Sequence, residues 1–236
     1  MKKALPLLLL LALPTSVGGQ TGTIRGWFAT PDGSCKVWLV AEHSVAVSEI
    51  RGQCANGLVQ GPAEVRARFT EAATAGFTID GTFRDGRLEG HGRQVWTSGR
   101  RTEGEWKAGL LNGKAVLDDF NGQEHFEGEF RDGMQNGHGT EHRAVGPVVR
   151  DYTGEWRNGD KEGRGSLTMS KPGCATHVRY DGEWKRGSFS GAGTLTLPDG
   201  SRKTGRWNGN ALEMGDDRVS YSFIRLEDLL RRACGG

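Results

Sequence analysis

The sequence lacks an excess of charge of either sign, and it has little proline. It contains 31 basic and 29 acidic residues, and loss of a leader that holds Lys2 and Lys3 would make the two counts equal. A neutral chain has no bulk attraction for nucleic acid, so nucleic-acid binding is not expected. Only 7 of the 236 residues are proline, whereas 38 are glycine without a three-residue period, which excludes collagen. Seven Trp and nine Phe are far more aromatic residues than a disordered chain would carry.

Long hydrophobic runs are almost absent. The exception is the apolar stretch Ala4 to Pro14, which is too short to span a bilayer because a spanning helix takes about 20 residues. It follows Lys2 and Lys3, and small residues come after it, which is the pattern of a secretory signal peptide. We therefore predict that residues 1–18 are a signal peptide and that the protein is exported, to a periplasm or outside the cell. The alternative interpretation is an uncleaved anchor or a buried strand.

Cysteine is scarce, and no two cysteines form a C-x-x-C pair. The four are Cys35, Cys54, Cys174 and Cys234. In an oxidising compartment an even number of cysteines favours disulfides over metal ligands. Four cysteines allow three connectivities, and their spacing alone does not choose among them.

The most informative feature of the chain is an internal repeat. An aromatic-x-Gly-x-aromatic core recurs around glycines 81, 104, 128, 154, 182 and 205, with a divergent first copy at Gly52, and the steps run from 23 to 29 residues. The framework positions are Gly81, Phe83, Gly104, Trp106, Phe126, Gly128, Phe130, Tyr152, Gly154, Trp156, Tyr180, Gly182, Trp184, Gly205 and Trp207. A period of this length is typical of proteins built from stacked supersecondary units.

Each core is followed by a turn and then by a Gly-x-Gly segment, as at Gly163 to Gly165 and Gly191 to Gly193. This combination resembles the MORN (membrane occupation and recognition nexus) repeat over residues 50–210. The stretch from Cys35 to Cys54 is also similar to the cap of exported bacterial MORN proteins. The resemblance implies an array of β-hairpins. MORN proteins that are enzymes carry separate catalytic domains, for which this chain has no room.

Residue alternation within one repeat predicts how it folds. On a strand, Tyr180, Gly182 and Trp184 share one face, and Asp181 and Glu183 share the other. One face is therefore apolar and the other charged, with glycines leaving space for neighbouring rings. Asp-Gly and Asn-Gly pairs provide tight hairpin turns. The predicted fold is all-β, an elongated single-layer sheet of stacked antiparallel hairpins.

The ends of such a sheet need caps, because free edges invite aggregation. We predict an N-terminal β cap over residues 19–49, the repeat array over 50–210 and a C-terminal cap over 211–236. In the last segment, apolar residues recur at helical spacing in Leu226, Leu229, Leu230 and Ala233. The helix is interpreted as a lid over the last hairpin, and the alternative is a helix that docks a partner.

Motifs that would indicate chemistry are missing. Gly187 to Gly191 places Phe189 where a hydrolase elbow needs its nucleophile, and no phosphate loop or dinucleotide motif is present. His138 and His142 lie about 13 Å apart along a strand, too far to share a zinc ion. We therefore predict no catalytic residue, no cofactor and no metal site. The repeated glutamates are interpreted as an outer stripe that pairs across strands with Lys or Arg, and they are Glu105, Glu129, Glu155 and Glu183.

The leading functional hypothesis is a non-enzymatic interaction or scaffold module in the cell envelope. It would bind another envelope protein or a second copy of itself, because repeat proteins bind through extended surfaces. A second hypothesis is binding of lipid headgroups or cell-wall glycan, although a neutral chain has little attraction for anionic lipid. A third is an immunity-like protein that neutralises a toxin.

The disulfide pairing follows from the elongated shape. Cys54 occupies an inward position of the first repeat, and Cys35 begins a strand that can fold back beside it. Cys174 follows a Pro-Gly turn at the sheet margin, where a terminal helix that carries Cys234 can reach it. Crossed pairs would bring the two ends of the array within about 7 Å. We predict the pairs Cys35–Cys54 and Cys174–Cys234.

Overall fold

The computed structural model describes residues 24–41, 43–119, 122–214 and 217–235, which form 17 strands and one helix. The predicted signal peptide lies outside the described residues. The elements are β1 Ile24–Ala29, β2 Lys36–Ala41, β3 Val45–Ala55, β4 Leu58–Phe69, β5 Ala72–Arg84, β6 Arg87–Trp96, β7 Arg101–Lys107, β8 Leu110–Asp119, β9 Glu124–Arg131, β10 Met134–Val145, β11 Val148–Arg157, β12 Asp160–Ser170, β13 His177–Lys185, β14 Ser188–Thr196, β15 Arg202–Asn208, β16 Ala211–Met214, β17 Asp217–Ser220 and α1 Phe223–Ala233.

The strands form one open sheet of antiparallel hairpins, which confirms the predicted fold class. From β3 to β17, every strand pairs with the next one along the chain. The β1–β2 hairpin joins this array through a parallel bridge between Lys36 and Leu58. Stability therefore comes from contacts between sequence neighbours, as in other repeat proteins.

The hairpins within the repeats turn on two consecutive residues with positive φ. This is the backbone of the tight turn that suits twisted strands, and it favours Asn, Asp and Gly. The turns are Asn56-Gly57, Asp85-Gly86, Ala108-Gly109, Asp132-Gly133, Asn158-Gly159, Arg186-Gly187 and Gly209-Asn210. The predicted use of Asp-Gly and Asn-Gly pairs is confirmed, and Ala108 and Arg186 occupy the same position at a steric cost. Between repeats, Asp199-Gly200 also forms a turn, whereas Asn121 lies outside the described residues.

The predicted alternation of the repeat is confirmed. Tyr180 and Trp184 are 0% and 3% exposed, while Glu183 between them faces solvent. Neighbouring rings meet edge to face, with centroids 5.1 Å apart for Tyr152 and Trp184. The Tyr180 hydroxyl donates a hydrogen bond to the carbonyl oxygen of Glu183, 3.0 Å away. Burial raises the pKa of Tyr180, so this hydroxyl stays protonated as the donor.

Tryptophans also join one repeat to the previous one by a hydrogen bond. The indole N–H of Trp184 donates to the carbonyl oxygen of Gly165 at 3.1 Å, and that of Trp207 donates to Gly193 at 3.0 Å. Trp106 makes the equivalent bond to Gly92 at 3.0 Å. Each of these rings thus fills the apolar face and satisfies a backbone acceptor.

The two glycines of a Gly-x-Gly segment serve different purposes. A Cβ at Gly193 would lie 2.3 Å from the hydroxyl oxygen of Tyr180, so the ring requires glycine beneath it. Gly191 has a φ of +54° and lies at a β-bulge, where the register shifts between Gly182 and Glu183. Simple alternation along the strand would place Gly191 and Gly193 on one face, and the bulge turns Gly191 to the other. A Cβ at Gly191 would meet the carboxylate of Glu183 on the opposite face.

The β1–β2 hairpin covers the first repeats. The backbone N–H of Trp38 donates a hydrogen bond to the carbonyl oxygen of Gly86, 2.8 Å away. Strand β2 therefore runs along the row of repeat turns. Val37 and Leu39 are buried in the common core. A disulfide joins Cys35 to Cys54 with Cα atoms 5.9 Å apart, which is the predicted pair. Cys54 lies opposite the buried Val59 and so is on the apolar face as predicted, but it is exposed because β3 has no array strand on its outer side.

The helix α1 covers the other end. Ser222 caps its N-terminus by accepting a hydrogen bond from the Arg225 N–H, and Leu226 and Leu230 are completely buried. Cys174 and Cys234 form the second predicted disulfide, with Cα atoms 5.6 Å apart. This bond holds the last turn of α1 against the segment that precedes β13. The arrangement is that of a lid, as the amphipathic pattern predicted, but α1 lies against β12 and β13 rather than over the last hairpin.

Candidate interaction surface

The charged face of the sheet forms a shallow groove across strands β6 to β11. We call this face the outer face, since it is opposite the aromatic rings. The groove has a volume of about 910 Å³, and residues from six consecutive strands line it. Among them are Arg101, Glu103, Lys114, Glu127 and Thr140. The stacked repeats thus create an extended polar surface rather than an enclosed pocket.

Cross-strand register sets an alternating order of charge on this face. In four repeats the middle residue of the Gly-x-Gly segment, or of its Gly-x-Ala variant, lies directly opposite the glutamate of the next repeat, whereas Ala192 lies opposite Arg206. The pairs are His91 with Glu105, Lys114 with Glu129, His138 with Glu155 and Arg164 with Glu183. Basic and acidic positions therefore follow each other from strand to strand.

The repeated glutamates do not act as the sequence predicted. Glu155 accepts a hydrogen bond from the backbone N–H of Arg164 at 2.9 Å, and Glu183 accepts one from Ala192 at 3.2 Å. Both donors belong to the bulge that the first glycine of Gly-x-Gly makes. Among the ion pairs of the described residues, none includes the four glutamates of the stripe. The prediction of pairing with Lys or Arg is wrong for Glu155 and Glu183, because the bulge backbone donates to each of these carboxylates.

Carboxylates outnumber cations in the groove. Glu103, Glu105, Glu127 and Glu129 line it, against the permanent cations Arg101 and Lys114. Its lining therefore has a net negative charge, although the chain as a whole is close to neutral. Such a surface favours a basic partner over an anionic one.

A second row of polar residues crosses β8 to β11 beside the groove. Arg101 donates to Asp118, whose other carboxylate oxygen lies 2.6 Å from Nδ1 of His125. Burial alone would raise the pKa of Asp118, but the hydrogen bonds from His125 and Arg101 hold it below its usual value. His142 makes the same kind of contact to Asp151 at 2.6 Å.

The spacing of His138 and His142 drew attention to these two residues, and nothing in the sequence pointed to His125. His138 lies at the middle of a Gly-x-Gly, opposite Glu155, whereas His142 lies directly opposite His125 on the neighbouring strand. The strand register that makes His125 and His142 neighbours depends on the bulge in β10. Spacing along one strand contains no signal for this contact.

The framework residues take their predicted places on the apolar face. The rings of Phe83, Trp106, Phe126, Phe130 and Trp207 are buried in one core, together with those of the repeats described above. Their role is structural, and the outer face carries the groups available to a ligand. Over the described ranges, no cluster of three or more His, Cys, Asp or Glu residues is arranged to hold a metal ion. In the same part of the chain, no helix has the length and apolar character needed to cross a membrane.

Comparison with known families agrees with the repeat and its geometry. The MORN repeat family matches residues 80–100, 103–124, 126–147, 152–171 and 180–202. No curated protein matches the chain. Each matched segment contains the end of an aromatic strand, or most of it, and the bulged return strand that follows. The chain therefore contains five MORN repeats between residues 80 and 202.

Proposed function

We propose that this protein is a non-enzymatic interaction module that binds another protein of the cell envelope through its outer-face groove. The observation that carries the proposal is the groove itself, which six consecutive strands build from charged and polar side chains. MORN repeats are compatible with such a module, and repeat arrays in general bind along extended surfaces.

The two faces of the sheet carry different kinds of side chain, and this difference supports the proposal. The apolar face consists of rings packed on one another, and the β1–β2 hairpin and α1 cover its ends. Among the described residues, only Trp27 and Met134 are large hydrophobic side chains that face solvent. A partner would therefore meet charges and hydroxyl groups, as in polar, non-obligate interfaces.

Charge favours a protein with a basic surface over an anionic lipid. The groove has four carboxylates against two permanent cations, and phospholipid headgroups of net negative charge would be repelled from it. Few aromatic rings are exposed, and this argues against a glycan site, because sugars commonly stack on flat apolar rings.

An exported location is the second part of the proposal. Two disulfides and no free cysteine among the described residues are consistent with an oxidising compartment. The predicted signal peptide would direct the chain there. Alkaline phosphatase fused after residue 50 tests this part, because the reporter is active only when it is exported.

A site-specific photocrosslinker at Thr140, which is exposed in the groove, tests the binding surface. We expect a discrete crosslinked protein species in native envelopes, and we expect Glu103→Lys with Glu127→Lys to abolish it. The same probe at Glu71, which is exposed far from the groove, is the control and should capture nothing comparable. Flotation with anionic liposomes at physiological salt should show no binding; binding that needs the groove would favour lipid and overturn the proposal.

A further inference from the structure

Strands β8 to β11 place two histidines between two aspartates in one row of the outer face. Asp118 is directly opposite His125, His125 is opposite His142, and His142 is opposite Asp151. Directly opposite residues on antiparallel strands have Cβ atoms about 4.5–5.5 Å apart. The four side chains therefore form a continuous row with the imidazoles at its centre.

Each imidazole is held by its own carboxylate. Nδ1 of His125 lies 2.6 Å from Oδ1 of Asp118, and Nδ1 of His142 lies 2.6 Å from Oδ1 of Asp151. An ionised carboxylate only accepts hydrogen bonds, so the proton of each neutral ring is on Nδ1. The lone pair of each ring is consequently on Nε2.

The two anchors turn the free nitrogens toward each other. In an imidazole, Nδ1 and Nε2 lie on opposite sides of the axis from Cβ through the ring. His125 directs Nδ1 to β8 and His142 directs Nδ1 to β11, so both Nε2 atoms are on the side of the shared β9–β10 boundary. Two nitrogens bound to one zinc ion at about 2.0–2.1 Å lie roughly 3.3 Å apart, a distance that these neighbouring rings can span.

We infer that His125 and His142 form a binding site for one divalent transition-metal ion of the zinc class. Imidazole is a preferred ligand of Zn²⁺, Cu²⁺ and Ni²⁺, while Mg²⁺ and Ca²⁺ require oxygen ligands. A carboxylate bound to the far nitrogen of a ligating histidine is the usual support of such sites, because it fixes the tautomer and the ring orientation. Here both ligands have that support.

The site has two protein ligands and open positions on its solvent side. The side chains of His125 and His142 are 40% and 46% exposed, so water can complete the coordination. The row borders the groove, since Thr140 is two residues from His142 on the same face. A residue of a bound protein could therefore replace water on the ion. The inference does not depend on the proposed function, because both histidine ligands belong to this chain.

Calorimetric titration of the tag-free, EDTA-treated and dialysed protein with ZnCl₂ tests the site. We expect one Zn²⁺ per chain, and we expect His125→Gln or His142→Gln to weaken binding at least tenfold. Asp151→Asn should weaken it by about 10-fold or more, because the ring of His142 loses its anchor. A stoichiometry of one ion per two chains with the same histidine dependence would also support the site, with a second copy completing the coordination.

His138→Gln is the matched control, because His138 is an exposed histidine on the same strand and face. It should bind Zn²⁺ as the wild-type protein does, and a 100-fold excess of MgCl₂ should displace no zinc. Circular dichroism in EDTA checks that every variant is folded. Equal weakening by His138→Gln, or wild-type binding no tighter than that of a folded His125→Gln/His142→Gln protein, would overturn the inference.

Discussion

Replacement of Trp184 by alanine is the most direct test of how the repeats hold together. The ring is 3% exposed and meets three others edge to face, with centroids 5.1 Å from Tyr152, 5.4 Å from Tyr180 and 5.0 Å from Phe189. Two of these partners belong to its own repeat hairpin, and Tyr152 belongs to the repeat before. The variant would remove contacts within and between repeats at once.

The expected magnitude has two parts. Deletion of a buried tryptophan ring from a packed core costs about 3–5 kcal/mol in lost transfer energy and cavity formation. The carbonyl oxygen of Gly165 also loses its indole donor, which is 3.1 Å away, and an unpaired buried acceptor costs about 1–3 kcal/mol. Trp184→Phe keeps most of the buried aromatic surface but removes the indole donor. We therefore expect a smaller loss of stability, close to the cost of about 1–3 kcal/mol for the unpaired carbonyl oxygen.

Urea denaturation followed by far-ultraviolet circular dichroism measures these losses as changes in the free energy of unfolding. Glu183→Ala is the control, because Glu183 is next in sequence and on the outer face. Water can replace its hydrogen bond to the exposed N–H of Ala192, so we expect less than about 1 kcal/mol. Equal losses from Trp184→Ala and Glu183→Ala would refute the assignment of the two faces.

Three further predictions concern the turns, the bulged strands and the C-terminal lid. Arg186→Asn should raise the free energy of unfolding by up to about 1 kcal/mol in the same assay, since φ is +50° there and Asn tolerates this conformation; a loss of stability would contradict the turn assignment. Gly193→Ala should destabilise the protein by about 2 kcal/mol or more because its Cβ would lie 2.3 Å from a tyrosine hydroxyl, while Gly26→Ala, with its nearest neighbour at 3.9 Å, should be nearly neutral. Replacement of both Cys174 and Cys234 by alanine should lower the free energy of unfolding by about 4 kcal/mol, because the disulfide joins residues that are 60 positions apart. An unchanged melting temperature would show that α1 does not need this anchor.

The repeat itself could be recognised from the sequence because its rules are local. Side chains alternate along a strand, so Tyr180 and Trp184 had to share a face whatever their neighbours were. The hairpin turns required Asn, Asp or Gly at positive φ, as at Asn158-Gly159. The disulfide pairs followed from the order of the repeats, since an array of sequence neighbours keeps its two ends apart.

The details of the outer face could not be predicted in the same way. One bulged residue reverses which face of the sheet the following side chains occupy. Nothing in the sequence distinguishes Gly191, which forms the bulge, from Gly193, which does not. The bulge then exposes a backbone N–H, which Glu183 binds instead of a cationic side chain. The sequence therefore indicated a charged stripe but not its partners.

The sequence alone determined the repeat, the hairpins and the apolar face of this protein, because each depends on alternation along a strand and on turn residues. Only the tertiary structure decided the bulges, the acidic groove and the meeting of His125 with His142. These features depend on register between strands, and each register results from pairing along a whole hairpin and from the shift that its bulge introduces. Contacts of that kind join side chains on different strands, and no spacing along a single strand encodes them.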